Sequence, residues 1–143
     1  MRRLVVLLLL LLPAGAASAL DGIGGGGNDA LTPARGMIQR QAYADAIVAI
    51  EPVVARDPAN ADAWNLLGFS HRKLKDYTTA ERAYGRALAL DADHKGALEY
   101  LGELYIETGR RDAARDLLAR LQRLCPLGCE ELADLRAALD RNP

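Results

Sequence analysis

The side chains with the strongest claim to chemistry in this 143-residue chain are its two cysteines and two histidines. Cys125-Pro126-Leu127-Gly128-Cys129 is the unusual stretch, because Pro126 and Gly128 favour a turn that can bring the two sulfurs together. In an exported chain an even pair of cysteines reads as a disulfide, and closing so short a loop is worth roughly 2 kcal/mol. The C-x3-C spacing, rather than C-x-x-C, speaks against a redox-active pair without removing it. Of the histidines, His71 lies on an apolar stripe and is expected as a packed imidazole, whereas His94 lies in a polar turn and is expected to be solvated. No Ser/His/Asp set with a nucleophile elbow, no H-E-x-x-H and no phosphate loop occurs. The expectation is a protein without catalysis and without a cofactor or resident metal.

Half the residues are apolar, only 5% are aromatic, and the net charge is −1, which suits close helix packing and offers nothing to nucleic acid or an anionic membrane surface. Met1-Arg2-Arg3, the apolar run Leu4–Leu12 and Ala17-Ser18-Ala19 have the order of a cleaved signal peptide, residues 1–19. Pro13 and Gly15 interrupt the run well short of the ~20 residues that a membrane span needs, so no stable span is expected after cleavage. The mature chain should therefore start near Leu20 and be exported, to a bacterial periplasm or as a secreted protein. Residues 20–31, with Gly22 and Gly24 to Gly27, read as a flexible leader.

The elements that must position any site are helical. Trp64, Leu67, Gly68 and His71 recur at helical spacing, as do Tyr77, Ala80 and Tyr84 after the polar break Lys73–Asp76. Large residues stand opposite small ones, so the two helices can interlock as an αα-hairpin. The pattern repeats at an interval of 34 residues: Tyr43, Ala46, Val53 and Pro58 before it, and Leu98, Leu101, Gly102, Tyr105, Ala114, Leu118, Leu121 and Pro126 after it. Thr32-Pro33 reads as a helix start with a hydroxyl cap, Pro52 lies inside a helix, and Gly109 reads as a left-handed helix end. Glu130–Arg141 reads as a terminal helix with Leu132, Leu135 and Leu139 on its packed side, and Glu131, Asp134, Arg136 and Asp140 on a polar outer side.

Trp64-x2-Leu67-Gly68, with Ala80-x3-Tyr84, resembles the tetratricopeptide repeat (TPR), a helix–turn–helix unit of about 34 residues. His71 stands where Tyr is usual, and Ala92 where Pro is usual. The resemblance implies an all-α solenoid of about three TPR units, near 32–60, 61–94 and 95–128, closed by a capping helix at 130–141. Trp64, Leu67, Gly68, Ala80, Tyr84, Leu101, Gly102, Tyr105, Ala114 and Pro126 are then the repeat-defining positions.

The resemblance also implies a function: a scaffold or adaptor that grips a partner protein or peptide in a concave groove lined by the leading helix of each unit. The residues beside the packing stripe would face that groove: Asn65, Phe69, Arg72 and Lys73 in the central unit, and Glu99, Glu103 and Glu107 in the third. The three glutamates, at i, i+4 and i+8, read as one self-repelling acidic ridge. Phe69, the only Phe, reads as an exposed aromatic anchor, and the ligand as basic or amphipathic. A competing reading is a redox or metal-handling accessory built on Cys125 and Cys129. The turn that holds His94 would lie beside theirs and could supply a third ligand for Cu(I) or Zn(II).

Overall fold

A computed structural model describes residues 30–141. The expected signal peptide and residues 20–29 of the expected leader lie outside the described residues. Among the described residues there are seven helices and no strand: α1 (Thr32–Gln39), α2 (Tyr43–Arg56), α3 (Ala61–Lys73), α4 (Tyr77–Leu90), α5 (Lys95–Glu107), α6 (Arg111–Leu124) and α7 (Glu130–Arg141). Each packs on the next in chain order, and α7 also packs on α5, which makes an all-α solenoid of antiparallel pairs.

The turns inside the pairs share one geometry. Gln41, Lys75 and Gly109 have φ of 60°, 64° and 79°. After each, an amide reaches back five residues: Ala42 to the Met37 carbonyl at 2.9 Å, Asp76 to His71 at 3.0 Å and Arg110 to Tyr105 at 2.6 Å. These are Schellman helix ends. Only the third carries the glycine that the left-handed conformation favours. The starts of α3, α4 and α5 are capped by side chains: Asn60 Oδ1 accepts from the Ala63 amide at 2.9 Å, Asp76 Oδ1 from Thr79 at 3.2 Å and His94 Nδ1 from Ala97 at 3.1 Å.

The core forms two clusters. One runs from Leu31, Ala34, Ile50 and Val53 to Leu67 and Ala83; the other runs from Ala80, Tyr84, Leu98 and Leu101 to Leu121 and Leu135. Leu67, Gly68, Ala80, Leu101, Gly102 and Ala114 are buried, as their repeat positions require, and Tyr105 is half-buried. Trp64 packs against both clusters but is only half-buried, because its indole N–H turns out to donate to the Pro58 carbonyl at 2.9 Å.

Several expectations are corrected here. His71 is not a packed core imidazole: it is half-buried and its Nδ1 lies 3.1 Å from Asp76 Oδ2 at the helix end. Leu31, assigned to the leader, is fully buried and is the N-cap residue of α1, so Thr32 lies inside the helix rather than capping it. Pro126 lies exposed in the turn between α6 and α7, the place expected of a closing proline.

Two glycines set how closely the helices approach. A Cβ on Gly68 would lie 2.7 Å from the Tyr84 ring, the α3–α4 contact the sequence implied. At Gly102 the intruding side chain is Leu135 of α7, 2.6 Å from a Cβ, so the third unit leans on the terminal helix there. Gly85, exposed on α4, has nothing within 4 Å. Gly85→Ala should therefore stabilise by up to about 1 kcal/mol through helix propensity. Gly68→Ala should destabilise by about 2 kcal/mol despite the same propensity gain, because a rigid ring must move. Urea unfolding of both variants checks the pair; stabilisation by Gly68→Ala would disprove the close approach.

Candidate functional site

The face that matters is formed by α1, α3, α5 and α7. At its centre lies Arg72, a guanidinium only 5% exposed. Such a charge needs compensation from nearby. Arg72 Nη2 meets Glu103 Oε2 at 2.5 Å, and Nη1 meets Glu107 Oε1 at 2.5 Å, which ties α3 to α5. Its guanidinium carbon lies 5.5 Å from the Phe69 ring centre and 5.8 Å from that of Tyr100. The Tyr84 hydroxyl faces it without hydrogen-bond geometry, and that oxygen and Arg72 Nε are both buried without a partner.

The expected self-repelling ridge is thus corrected. Glu103 and Glu107 are countered by Arg72, a residue from another helix. Arg72 in turn is a buried structural cation rather than a free groove ligand. Phe69 is half-buried, not exposed; it packs edge-on against Tyr43 at 6.2 Å and tilted against Tyr100 at 4.8 Å. The three rings make an aromatic floor across α2, α3 and α5. Exposed Lys73 reaches back over it, its Nζ 5.8 Å from both the Tyr43 and the Phe69 ring centres. Lys73, Lys75 and Arg141 line the hollows at this end of the face.

The other end is acidic. Glu99 and Asn65, each 6% exposed, line a cavity of about 210 Å³ with Tyr100, Glu130, Glu131 and Asp134. Burial first, then the charges of Glu103, Asp134 and Glu131, push the Glu99 carboxyl up to about 8; the pull of Arg72 in the opposite direction is weaker. Glu130, Glu131 and Asp134 were missed by sequence reasoning, which turned the polar side of α7 outward. The packing of α7 against α5 turns Glu131 and Asp134 into the groove instead.

The cysteines lie elsewhere. Cys125 ends α6, Gly128 follows at φ 95°, and the Cys125 and Cys129 sulfurs are at bonding distance, 2.27 Å. His94 is not solvated, nor free as a metal ligand: Nδ1 caps α5, and Nε2 lies 2.9 Å from Asp62 Oδ1. With Nδ1 accepting, Nε2 carries the proton and donates it to Asp62. Among the described residues no group of three or more His, Cys, Asp or Glu is arranged to hold a metal ion. No helix among them is long and apolar enough to cross a membrane.

Glu99 gives a pH dependence with a definite sign. Its folded pKa lies above the roughly 4.3 of an unfolded carboxyl, so the folded state holds the extra proton between the two values. The stability that this proton confers is present in acid and is lost as pH rises from about 4.3 to about 8. Glu99→Gln should melt close to the parent at pH 5 and several degrees above it at pH 9. Parallel melting curves across that range would show that Glu99 titrates normally.

Comparison with known proteins agrees with this architecture. Tetratricopeptide-repeat profiles match residues 38–81 and 71–139. Tetratricopeptide repeat protein 37 of Xenopus laevis is 27% identical over 116 residues, 73% of this chain, although the chain spans only 7% of that relative's length. The type III secretion translocator chaperone SycD of Yersinia enterocolitica superposes with a TM-score of 0.72 at 19% identity, covering 80% of this chain and 89% of SycD. The first TPR domain of Spaghetti (RPAP3), solved bound to the HSP90 peptide SRMEEVD, superposes with a TM-score of 0.69 at 21% identity, covering 84% of this chain and 98% of that one. With the paired helices, the turns recurring every 34 residues and these matches in agreement, the chain belongs to the tetratricopeptide-repeat family.

Proposed function

We propose that this chain is a non-catalytic adaptor that holds a segment of another protein across the α1–α3–α5–α7 face, and that it works in the cell envelope or outside the cell. The observation that carries the binding reading is the aromatic floor of Tyr43, Phe69 and Tyr100, set between an acidic and a basic end. Large amphipathic rings ringed by charge are what peptide recognition uses as anchors, with the flanking charges setting orientation and association rate. Like folds support it: SycD is described as a translocator chaperone, and the RPAP3 domain is solved with a peptide bound. Asn65, Phe69, Lys73 and Glu99 are the contacts proposed for the partner, with Arg72, Glu103 and Glu107 as the scaffold beneath them.

Peptide display against the immobilised domain tests this. Enriched peptides should lose roughly tenfold or more in affinity for Phe69→Ala, the loss expected of an aromatic anchor. Unchanged affinity in a folded Phe69→Ala variant would move the working surface off this face.

Export rests on the order of Arg2-Arg3, the Leu4–Leu12 run and Ala17-Ser18-Ala19, together with the bonded cysteine pair, which fits an oxidising compartment. Expressed in a bacterial host, the protein should be recovered from the periplasm with an N-terminus at or near Leu20. An intact Met1 in the cytoplasm or membrane pellet refutes export.

A further inference from the structure

The acidic end of the groove contains more than a row of surface carboxylates. Glu99, Glu130, Glu131 and Asp134 converge on one cavity of about 210 Å³, the size of a side chain rather than of a folded partner. Asn65 lines the same cavity, 94% buried by its 6% exposure, and its Oδ1 has no donor in the protein. A buried amide oxygen without a donor is costly, and here it belongs to a residue that lines the cavity. The one cation at the rim, Arg35, is drawn aside: its Nη2 lies 3.9 Å from Asp62 Oδ2, and its side chain is nearly half exposed. Glu103, paired with Arg72 on its far side, still adds its negative charge to that of the cavity carboxylates around Glu99. A metal ion does not suit the arrangement, since no three carboxylates or imidazoles among the described residues are placed to ligate one. An organic cation on a flexible stem does.

From this we infer that the cavity formed by Asn65, Glu99, Glu130, Glu131 and Asp134 is a pocket for a lysine or arginine side chain of the bound peptide, whose neighbouring apolar residues lie on the Tyr43–Phe69–Tyr100 floor. The inference rests on the peptide-binding reading above and fixes the chemistry of its ligand. The ammonium or guanidinium donates to Asn65 Oδ1 and to the Glu99 carboxylate, while its aliphatic stem lies along Tyr100. The cation supplies the opposite charge that Glu99 lacks. Glu99 is faced by Glu103 on its own helix, by Arg72 from α3, and by Glu130, Glu131 and Asp134 of α7, with Arg35 of α1 at the rim. Entry of a cation therefore favours the ionised carboxylate and expels its proton. Affinity must rise with pH until Glu99 is ionised without the ligand, near pH 8.

The test uses four capped heptapeptides, Ala-Leu-Ala-X-Ala-Leu-Ala, with lysine, arginine, norleucine or glutamate at X. Each is titrated into the 15N-labelled protein while backbone amide shifts are followed. The lysine and arginine peptides should shift Gly96 and Asp134 as well as Tyr43 and Phe69, and bind roughly tenfold more tightly than the norleucine peptide. Their affinity should rise roughly threefold or more between pH 6.5 and pH 8.5, a rise that Glu99→Gln abolishes. The double variant Glu131→Gln/Asp134→Asn changes partly exposed side chains and keeps the fold, so it should weaken the lysine peptide toward the norleucine value. Equal affinity for all four peptides, with shifts confined to Tyr43 and Phe69, overturns the pocket and leaves the aromatic groove standing. A lysine preference without the pH rise also overturns the pocket, because the cation then sits outside it. Absence of shifts on this face with every peptide overturns both the pocket and the groove.

Discussion

A guanidinium taken out of water between two helical hairpins has to be answered by charges within reach, and the centre of this protein is arranged around that requirement. Arg72 rises from α3 into the gap to α5, where Glu103 and Glu107 close on it and the Phe69 and Tyr100 rings cover its faces. Removing both glutamates would strand the buried guanidinium, at a cost of about 3–5 kcal/mol, whereas Glu103 and Glu107 are partly exposed and would be hydrated without it. Its consequence for the groove is a division of roles among glutamates that look alike. Glu103 and Glu107 hold the units together. Glu99, one turn earlier, has Glu131 and Asp134 for neighbours and keeps its proton up to about pH 8.

That division also shows what the sequence could and could not reveal. The helices, their pairing and the 34-residue period were legible, because Gly68, Ala80, Tyr84 and their counterparts repeat at fixed spacing and because short turns leave antiparallel packing as the outcome. The residues assigned to a groove lie together on one face for the same reason. Their charges were misread because spacing reports neighbours on the same helix, and the residue that decides the state of Glu103 and Glu107 lies more than 30 positions away. The same blindness hid the part played by α7. Alternation of leucines and carboxylates marks a helix as amphipathic, but not whether its polar side meets solvent or a groove. His94 was read as solvated because it lies in the turn between repeats; its bond to Asp62, 32 residues earlier, is visible only once adjacent units are stacked.

The terminal helix is held by contacts that keep its carboxylates in place. The Cys125–Cys129 pair fixes the turn before it, Leu135 seats against Gly102, and Arg111 Nη2 donates to the Leu139 carbonyl near its far end at 2.9 Å. Position at both ends and the middle leaves α7 little freedom to swing or slide. The acidic end of this face is therefore preorganised, so the ligand proposed for it would be spared the ordering cost that a mobile lid imposes.

Trp64 gives the molecule an optical property of its own. It is the sole tryptophan, it touches both apolar clusters, and it holds the chain at Pro58 through its indole nitrogen. An indole placed at such a seam takes its emission colour from the joint between the two halves rather than from the interior of either. Excitation collected by Tyr84 and Tyr100 on one side and by Tyr43 on the other has a single acceptor in the fold. Intrinsic fluorescence thus reads out whether the two halves of the solenoid remain in register, and it does so without an attached dye.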